Sequence, residues 1–220
     1  MLSWVVTLLL PLLESAAFTL VFTLFVRPQV TPTTYFVFVY VGVFAWRAFA
    51  GGVTAAAATL PAAATVRQVP GPVLRAWRDA LLAAPLVIAA VVLLRGVPPL
   101  GRLVVWLPVG IALQLAATLG LGWLVAVANL FNRDVGVVAG PLLSVLIFAA
   151  PVVYPTALVP VALRLVFLAN PMAAAIEAYR AALLGGVPPP LRAVALATVV
   201  AGVLLAAGWA FHRELPSGSC

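Results

Sequence analysis

An all-α integral membrane protein with six transmembrane helices, and a re-entrant or short-helix pair between spans five and six, is the fold class that this sequence predicts. Three observations carry that prediction. The 220 residues are 65% hydrophobic and only 8% charged, with a mean hydropathy of +1.23, against roughly 45–50% apolar and about 25% charged residues in soluble domains. Apolar runs recur along the chain, separated by Pro-, Gly- and Arg-bearing loops, and a span needs about 20 apolar residues. The fifth run, Val135 to Ala150, does not end cleanly but meets Pro151-Val152-Val153-Tyr154-Pro155. Proline lacks the backbone donor and clashes with the preceding turn. Two of them four residues apart therefore bend the chain or make it re-enter, which is tolerable at membrane depth only inside protein or beside a water-filled cavity.

Taken in order, Met1 to Val26 is apolar except for Glu14. It lacks the positive n-region of a secretory signal and is too long for one. Arg27 to Thr34 is a turn-rich loop, because residues before proline leave helical geometry. The second run starts at Tyr35 and sets Phe36, Tyr40 and Phe44 on one helical face, with Trp46 and Arg47 just beyond it. The Gly-, Ala- and Thr-rich stretch from Gly51 to Ala64 extends this helix to about Pro61. Arg67 to Asp79 reads as an interfacial elbow that turns into a helix, where Arg75 and Asp79 are spaced to pair. The third run, Ala80 to Leu94, reaches spanning length only if that elbow helix feeds into it. Arg95 to Arg102 is a tight loop. The fourth run, Leu103 to Ala128, buries Gln114 and places Ala116, Gly120 and Gly122 where small residues let helices approach closely. Leu191 to Phe211 is the sixth run.

Composition also excludes several function classes. All twelve Lys or Arg residues are arginine, so a Gly-x-x-x-x-Gly-Lys phosphate loop cannot exist here. The net charge of +7 and pI of about 11.1 come from arginines scattered singly between apolar runs, with no basic face for nucleic acid. The single cysteine, Cys220, is the last residue and the single histidine, His212, is in the tail. That leaves no paired-thiol or His-Glu-x-x-His metal site, and no cofactor is expected. The five acids lie far apart in sequence, so paired carboxylates for catalysis are missing. A secondary transporter would place ionisable groups near mid-span, whereas Gln114 is the most polar central residue of these runs.

The candidate site is the stretch from Asn129 to Arg180. Two segments, about Pro151 to Leu168 and Pro171 to Leu184, form a candidate gate, with Asn170-Pro171 capping a short helix on which Glu177 and Arg180 are spaced i,i+3 to pair. Aromatic planes with few fixed charges nominate Tyr35, Phe36, Tyr40, Phe44 and Tyr154 as the lining of a path beside this gate. Interfacial enrichment of Tyr and Trp and ordinary packing of Phe are the competing explanations. Arg133-Asp134 is a short turn in which Asp134 opens the fifth helix, a position that suits the macrodipole. This turn and the Arg67 to Asp79 elbow are candidates for relaying motion from a partner.

The order Asn129-x-x-x-Arg133-Asp134, apolar span, Pro151-Val152-x-Tyr154-Pro155, Asn170-Pro171, Tyr179-Arg180 and Gly185 resembles the membrane subunits of type-2 ABC exporters that move O-antigen, capsule-like glycans or teichoic acid. Pro11-Leu12-Leu13-Glu14 with Phe18 and Phe22, Gly42-x-x-x-Trp46, and the elbow from Arg67 to Pro72 fit the same pattern, so the resemblance runs nearly the whole length as a single permease domain over 1–220. It implies a homodimer in the cytoplasmic (inner) membrane, with both termini cytosolic and an interface that forms the translocation path. It also implies an ATP-binding ABC subunit supplied in trans and a lipid-linked glycan as cargo. Pro151, Tyr154, Pro155, Asn170, Pro171, Tyr179 and Arg180 would then belong to the path or gate, and Arg67, Arg75, Arg78, Asp79, Arg133 and Asp134 to ATPase coupling. An amphipathic helix before the first span is expected, with Met1 to Leu10 as its tail, and Glu14 falls near the cytosolic end of that span. Arginines split six against six between the two sides, so charge bias does not orient the chain. A drug or small-lipid exporter of the same superfamily fits the same motifs.

Overall fold

A computed structural model describes residues 2–25, 30–58 and 69–214. Those residues form eight α-helices. They are α1 (Leu2–Phe25), α2 (Pro32–Ala58), α3 (Pro70–Arg95), α4 (Leu100–Phe131), α5 (Asp134–Leu146), α6 (Arg164–Ala169), α7 (Pro171–Leu184) and α8 (Leu191–Glu214). Three short 3-10 turns, Ile147–Ala149, Thr156–Leu158 and Val161–Leu163, fill the interval between α5 and α6. Four stretches, Pro32–Ala58, Pro70–Arg95, Leu100–Phe131 and Leu191–Phe211, are each long and apolar enough to cross a bilayer. Leu9–Phe25 and Asp134–Ala149 are apolar but shorter. Among the described residues, length and apolarity alone give four candidate spans, or five with the bent pair Val161–Phe167 and Pro171–Leu184 counted as one. The expected short-helix pair is present, bent by 88°.

Two features follow the sequence reading. Pro70 begins a helix that continues through Pro85 to Arg95, so the elbow helix feeds into the third run and gives it its length. Arg47 sits well inside α2, which runs on to Ala58. Pro32 occupies the first turn of that helix, where its missing N–H costs nothing, and Thr31 accepts at Oγ1 from the Thr34 amide.

Helix α4 lies at the centre, and its glycines set how closely the others approach. A Cβ on Gly120 would come within 2.6 Å of the α8 backbone at Leu204, one on Gly122 within 3.0 Å of Ala56, and one on Gly110 within 2.7 Å of the Tyr179 ring. This is small-residue packing of the kind membrane helices use in place of a hydrophobic driving force. The main core gathers α2, α4 and α7 around Tyr40, Val43, Leu113 and Ile176. A second cluster, of Val69, Val73, Trp77, Trp123 and Ala126, joins the start of α3 to the end of α4.

The two ends of the bundle follow from these contacts. At one end, Asn129 near the end of α4 donates to the Ala57 carbonyl near the end of α2 at 3.1 Å, next to the start of α3. At the other, Arg95 donates to Thr34 Oγ1 at 2.9 Å, and Arg102 donates to the carbonyls of Gly185 and Gly186. Gly185 ends α7 with φ +67°, a left-handed conformation that glycine adopts without penalty.

Candidate functional site

The interval after α5 is the irregular part of the fold, and its physical problem is a run of carbonyls that no helix satisfies. Each from Phe148 to Val153 nevertheless has a donor. Tyr154 Oη donates to Phe148 O at 2.6 Å, Asn170 Nδ2 to Ala149 O at 3.2 Å, and the Val152 amide to Ala150 O at 2.7 Å. Arg180 Nη1 donates to Pro151 O and Nη2 to Val152 O, both at 2.6 Å. Tyr35 Oη donates to Val153 O. Irregular backbone in an apolar chain demands this complete pairing, because an unpaired buried carbonyl costs about 1–3 kcal/mol.

Arg180 pairs two of the six carbonyls, more than any other residue. It is 5% exposed, and a guanidinium stays charged when buried. Its charge is compensated by two further donations, from Nε at 3.3 Å and Nη2 at 3.2 Å, to the Phe38 carbonyl in α2. Its Cζ also stands 3.4 Å from the centre of the Phe38 ring, a cation–π contact. Gly42 makes the approach possible, since a Cβ there would lie 2.8 Å from both Arg180 Nη2 and Val152 O. Asn170 caps α7 by accepting from the Met172 amide at 2.9 Å, with Pro171 at the first helical position.

The nominated gate residues Pro151, Tyr154, Asn170, Pro171 and Arg180, together with Tyr35, thus meet in one place. Pro155 is exposed beside them, and buried Tyr179 packs on Gly110 at the next turn of α4. The aromatic stripe divides. Tyr35 and Tyr40 are buried in the core, and Phe36 and Phe44 pack half-buried against it, with the Phe36 and Tyr40 rings stacked at 5.8 Å. Two expected ion pairs do not form. Glu177 accepts from Thr156 Oγ1 while Arg180 turns to the carbonyls, and Asp79 pairs with its neighbour Arg78 at 3.0 Å instead of with Arg75. In both cases a partner brought by the tertiary fold or the chain itself is better placed than the one a helical turn away.

At the opposite end, Arg75, Arg78 and Arg133-Asp134 lie at the surface, with Asp79 half-buried. Arg67 lies outside the described residues. Asp134 opens α5 as expected, but the amides there are satisfied by asparagines. Asn132 Oδ1 accepts from Asp134 N at 3.0 Å, and Asn129 Oδ1 from Gly136 N at 2.8 Å. No ion pair joins Arg133 to Asp134 among the described residues.

Sequence reasoning missed one charged pair. Glu14, midway along α1 and not near its end, takes a two-pronged hydrogen bond from Arg47 of α2, with Nε and Nη2 each at 2.7 Å from a carboxylate oxygen. A lone acid and a lone arginine in separate apolar runs were the available signal, since ionisable groups in such runs need partners.

The fold and these contacts define a multi-pass helical membrane protein whose irregular segment is sealed from within. Residues 80–184, from within α3 through the end of α7, match the family described as ABC-2 type transporter. No curated protein matches the chain.

Proposed function

We propose that this chain is the membrane-spanning permease subunit of an ATP-driven ABC exporter that moves a lipid-linked polysaccharide or related cell-surface glycan across the cytoplasmic (inner) membrane. In this reading it works as a homodimer with both termini cytosolic, and an ATP-binding subunit docks on the end bearing Arg75, Arg78, Asp79 and Arg133-Asp134. The family match over 80–184 supports a permease component. The observation that carries the gate is the pairing of every carbonyl from Phe148 to Val153, five of them by the side chains of Tyr35, Tyr154, Asn170 and Arg180 and that of Ala150 by the Val152 amide. Backbone held this way has a defined shape at the end remote from the ATPase face, and moving α7 relative to α2 changes it.

The test is reconstitution of the chain in vesicles with its ATP-binding subunit, measuring glycan flux with and without ATP. Flux that requires ATP is expected. A Pro151→Ala/Pro155→Ala variant restores two backbone donors and straightens the break, and it is expected to lower flux while ATP hydrolysis persists. Unchanged flux in that variant removes the gate, and flux by the chain alone without nucleotide removes the exporter.

A further inference from the structure

The Glu14–Arg47 pair does not sit in the packed core. It lines a cavity of about 400 Å³ between α1, α2 and α5, within the range of roughly 300–1,000 Å³ that small-ligand sites occupy. The two side chains are 34% and 37% exposed, so both face open space. Their geometry leaves hydrogen-bonding capacity unused. Arg47 spends Nε and Nη2 on Glu14, and Nη1 donates to no described residue. Each carboxylate oxygen accepts one bond out of the two it offers.

The rest of the wall is suited to the same kind of guest. Thr54 donates its hydroxyl back to Ala50 O and Gly51 O, and Ser144 donates to Gly140 O. Both line the cavity, and each hydroxyl oxygen keeps its acceptor capacity unused. Phe18 and Phe148 stand edge to face at 6.1 Å, with Phe148 52% exposed, so an aromatic plane is open. Gly51 and Gly140 are not demanded by packing: a Cβ on the first would meet nothing within 4 Å and on the second only Thr54 Cγ2 at 3.9 Å. Their missing side chains enlarge the cavity.

We infer that this cavity binds a neutral sugar ring of the transported glycan, a proposal that rests on the exporter reading above. The pair has no net charge, so an anion finds no excess of positive field. A purely apolar guest would leave Arg47 Nη1 and the remaining lone pairs of Glu14, Thr54 and Ser144 unused, where a polar guest can engage them. One carboxylate alone makes a poor metal site. A pyranose meets every requirement. Its hydroxyls donate to Glu14, Thr54 and Ser144 and accept from Arg47, while its apolar face lies on Phe148.

The test uses the full chain in nanodiscs free of glycoside detergent, with saturation-transfer NMR on neutral tetrasaccharides of glucose, galactose, mannose and N-acetylglucosamine. An oligogalacturonate serves as the anionic comparison and a polyoxyethylene amphiphile as the apolar one. At least one neutral tetrasaccharide is expected to bind saturably and in preference to both. Phe148→Ala and Glu14→Gln/Arg47→Gln are each expected to weaken it about tenfold, the size of one lost charge-assisted hydrogen bond or stacking contact. Phe148 is exposed, so its truncation leaves the fold intact and keeps the test decisive if the double variant does not fold. No saturable binding of any neutral sugar, equal or tighter binding of either comparison, or binding unchanged in Phe148→Ala overturns the proposal. Failure here with ATP-driven glycan flux preserved moves the sugar contact elsewhere and leaves the exporter standing. Sugar binding in a chain that transports without nucleotide does the reverse.

Discussion

Arg180 and Arg47 are two arginines on apolar helices with opposite solutions to the same charge. Arg180 has no carboxylate partner. It is buried and gives its donors to three backbone carbonyls and an aromatic face. Arg47 has a carboxylate, remains one-third exposed, and keeps a nitrogen unused beside a cavity. The contrast separates holding from binding. A guanidinium whose donors are all engaged by backbone fixes that backbone, and removing it orphans groups that water cannot reach. One that is half satisfied at a cavity wall can add a ligand without losing its partner.

The largest effect should follow from Arg180→Met. The Pro151 and Val152 carbonyls would lose their donors in an apolar interior, at about 1–3 kcal/mol each, and thermal unfolding in nanodiscs should fall accordingly by about 3 kcal/mol or more. Arg180→Lys should recover only part of this, because an ammonium lacks the planar fork that spans two carbonyls. Full stability in Arg180→Met would mean that the break does not depend on the guanidinium. A smaller loss, about 1–3 kcal/mol, is expected for Gly42→Ala, whose Cβ would intrude at 2.8 Å on Arg180 Nη2 and Val152 O in a site with no room to relax. Gly202→Ala, where the new methyl meets nothing within 4 Å, is the matched control and should show no loss. Equal behaviour of the two glycines would show that α2 and the break are not held as closely as the contacts indicate.

The break was legible in the sequence because Pro151 and Pro155 remove two backbone donors within five residues, where the single prolines Pro85, Pro108 and Pro141 stay inside their helices, and Asn170-Pro171 announces a helix start. Pairing was not legible. Helical spacing offered Glu177 to Arg180 and Asp79 to Arg75, but such pairs contribute only tenths of a kcal/mol and yield to stronger alternatives. For Arg180 these were the carbonyls that the break exposes, which no periodicity reveals. Glu14 and Arg47, 33 residues apart, meet only because α1 packs along α2. The role of Gly42 depends on Arg180 arriving from 138 positions later in the chain, so its four-residue spacing from Trp46 carried the motif without its reason. Apolar runs likewise mark oily surroundings but do not fix where 3-10 turns shorten a helix, as they do after Leu146.

Glu14→Gln should have the smallest effect on stability and is the sharpest check on the contrast. The pair it breaks is about one-third exposed on both sides and opens to a cavity that also carries hydroxyls, so breaking it seals no charge in the core and its worth falls near the roughly 0–1 kcal/mol of accessible pairs. The glutamine keeps an oxygen that accepts from Arg47, and the charge left on the arginine faces a polar cavity and not a sealed interior. Thermal unfolding of Glu14→Gln should therefore lie close to that of the parent chain and well above that of Arg180→Met. A loss as large as that of Arg180→Met would place Arg47 in the same sealed environment as Arg180. The cavity would then be closed to water and to sugar alike, because only a desolvated guanidinium makes the removal of its partner so costly.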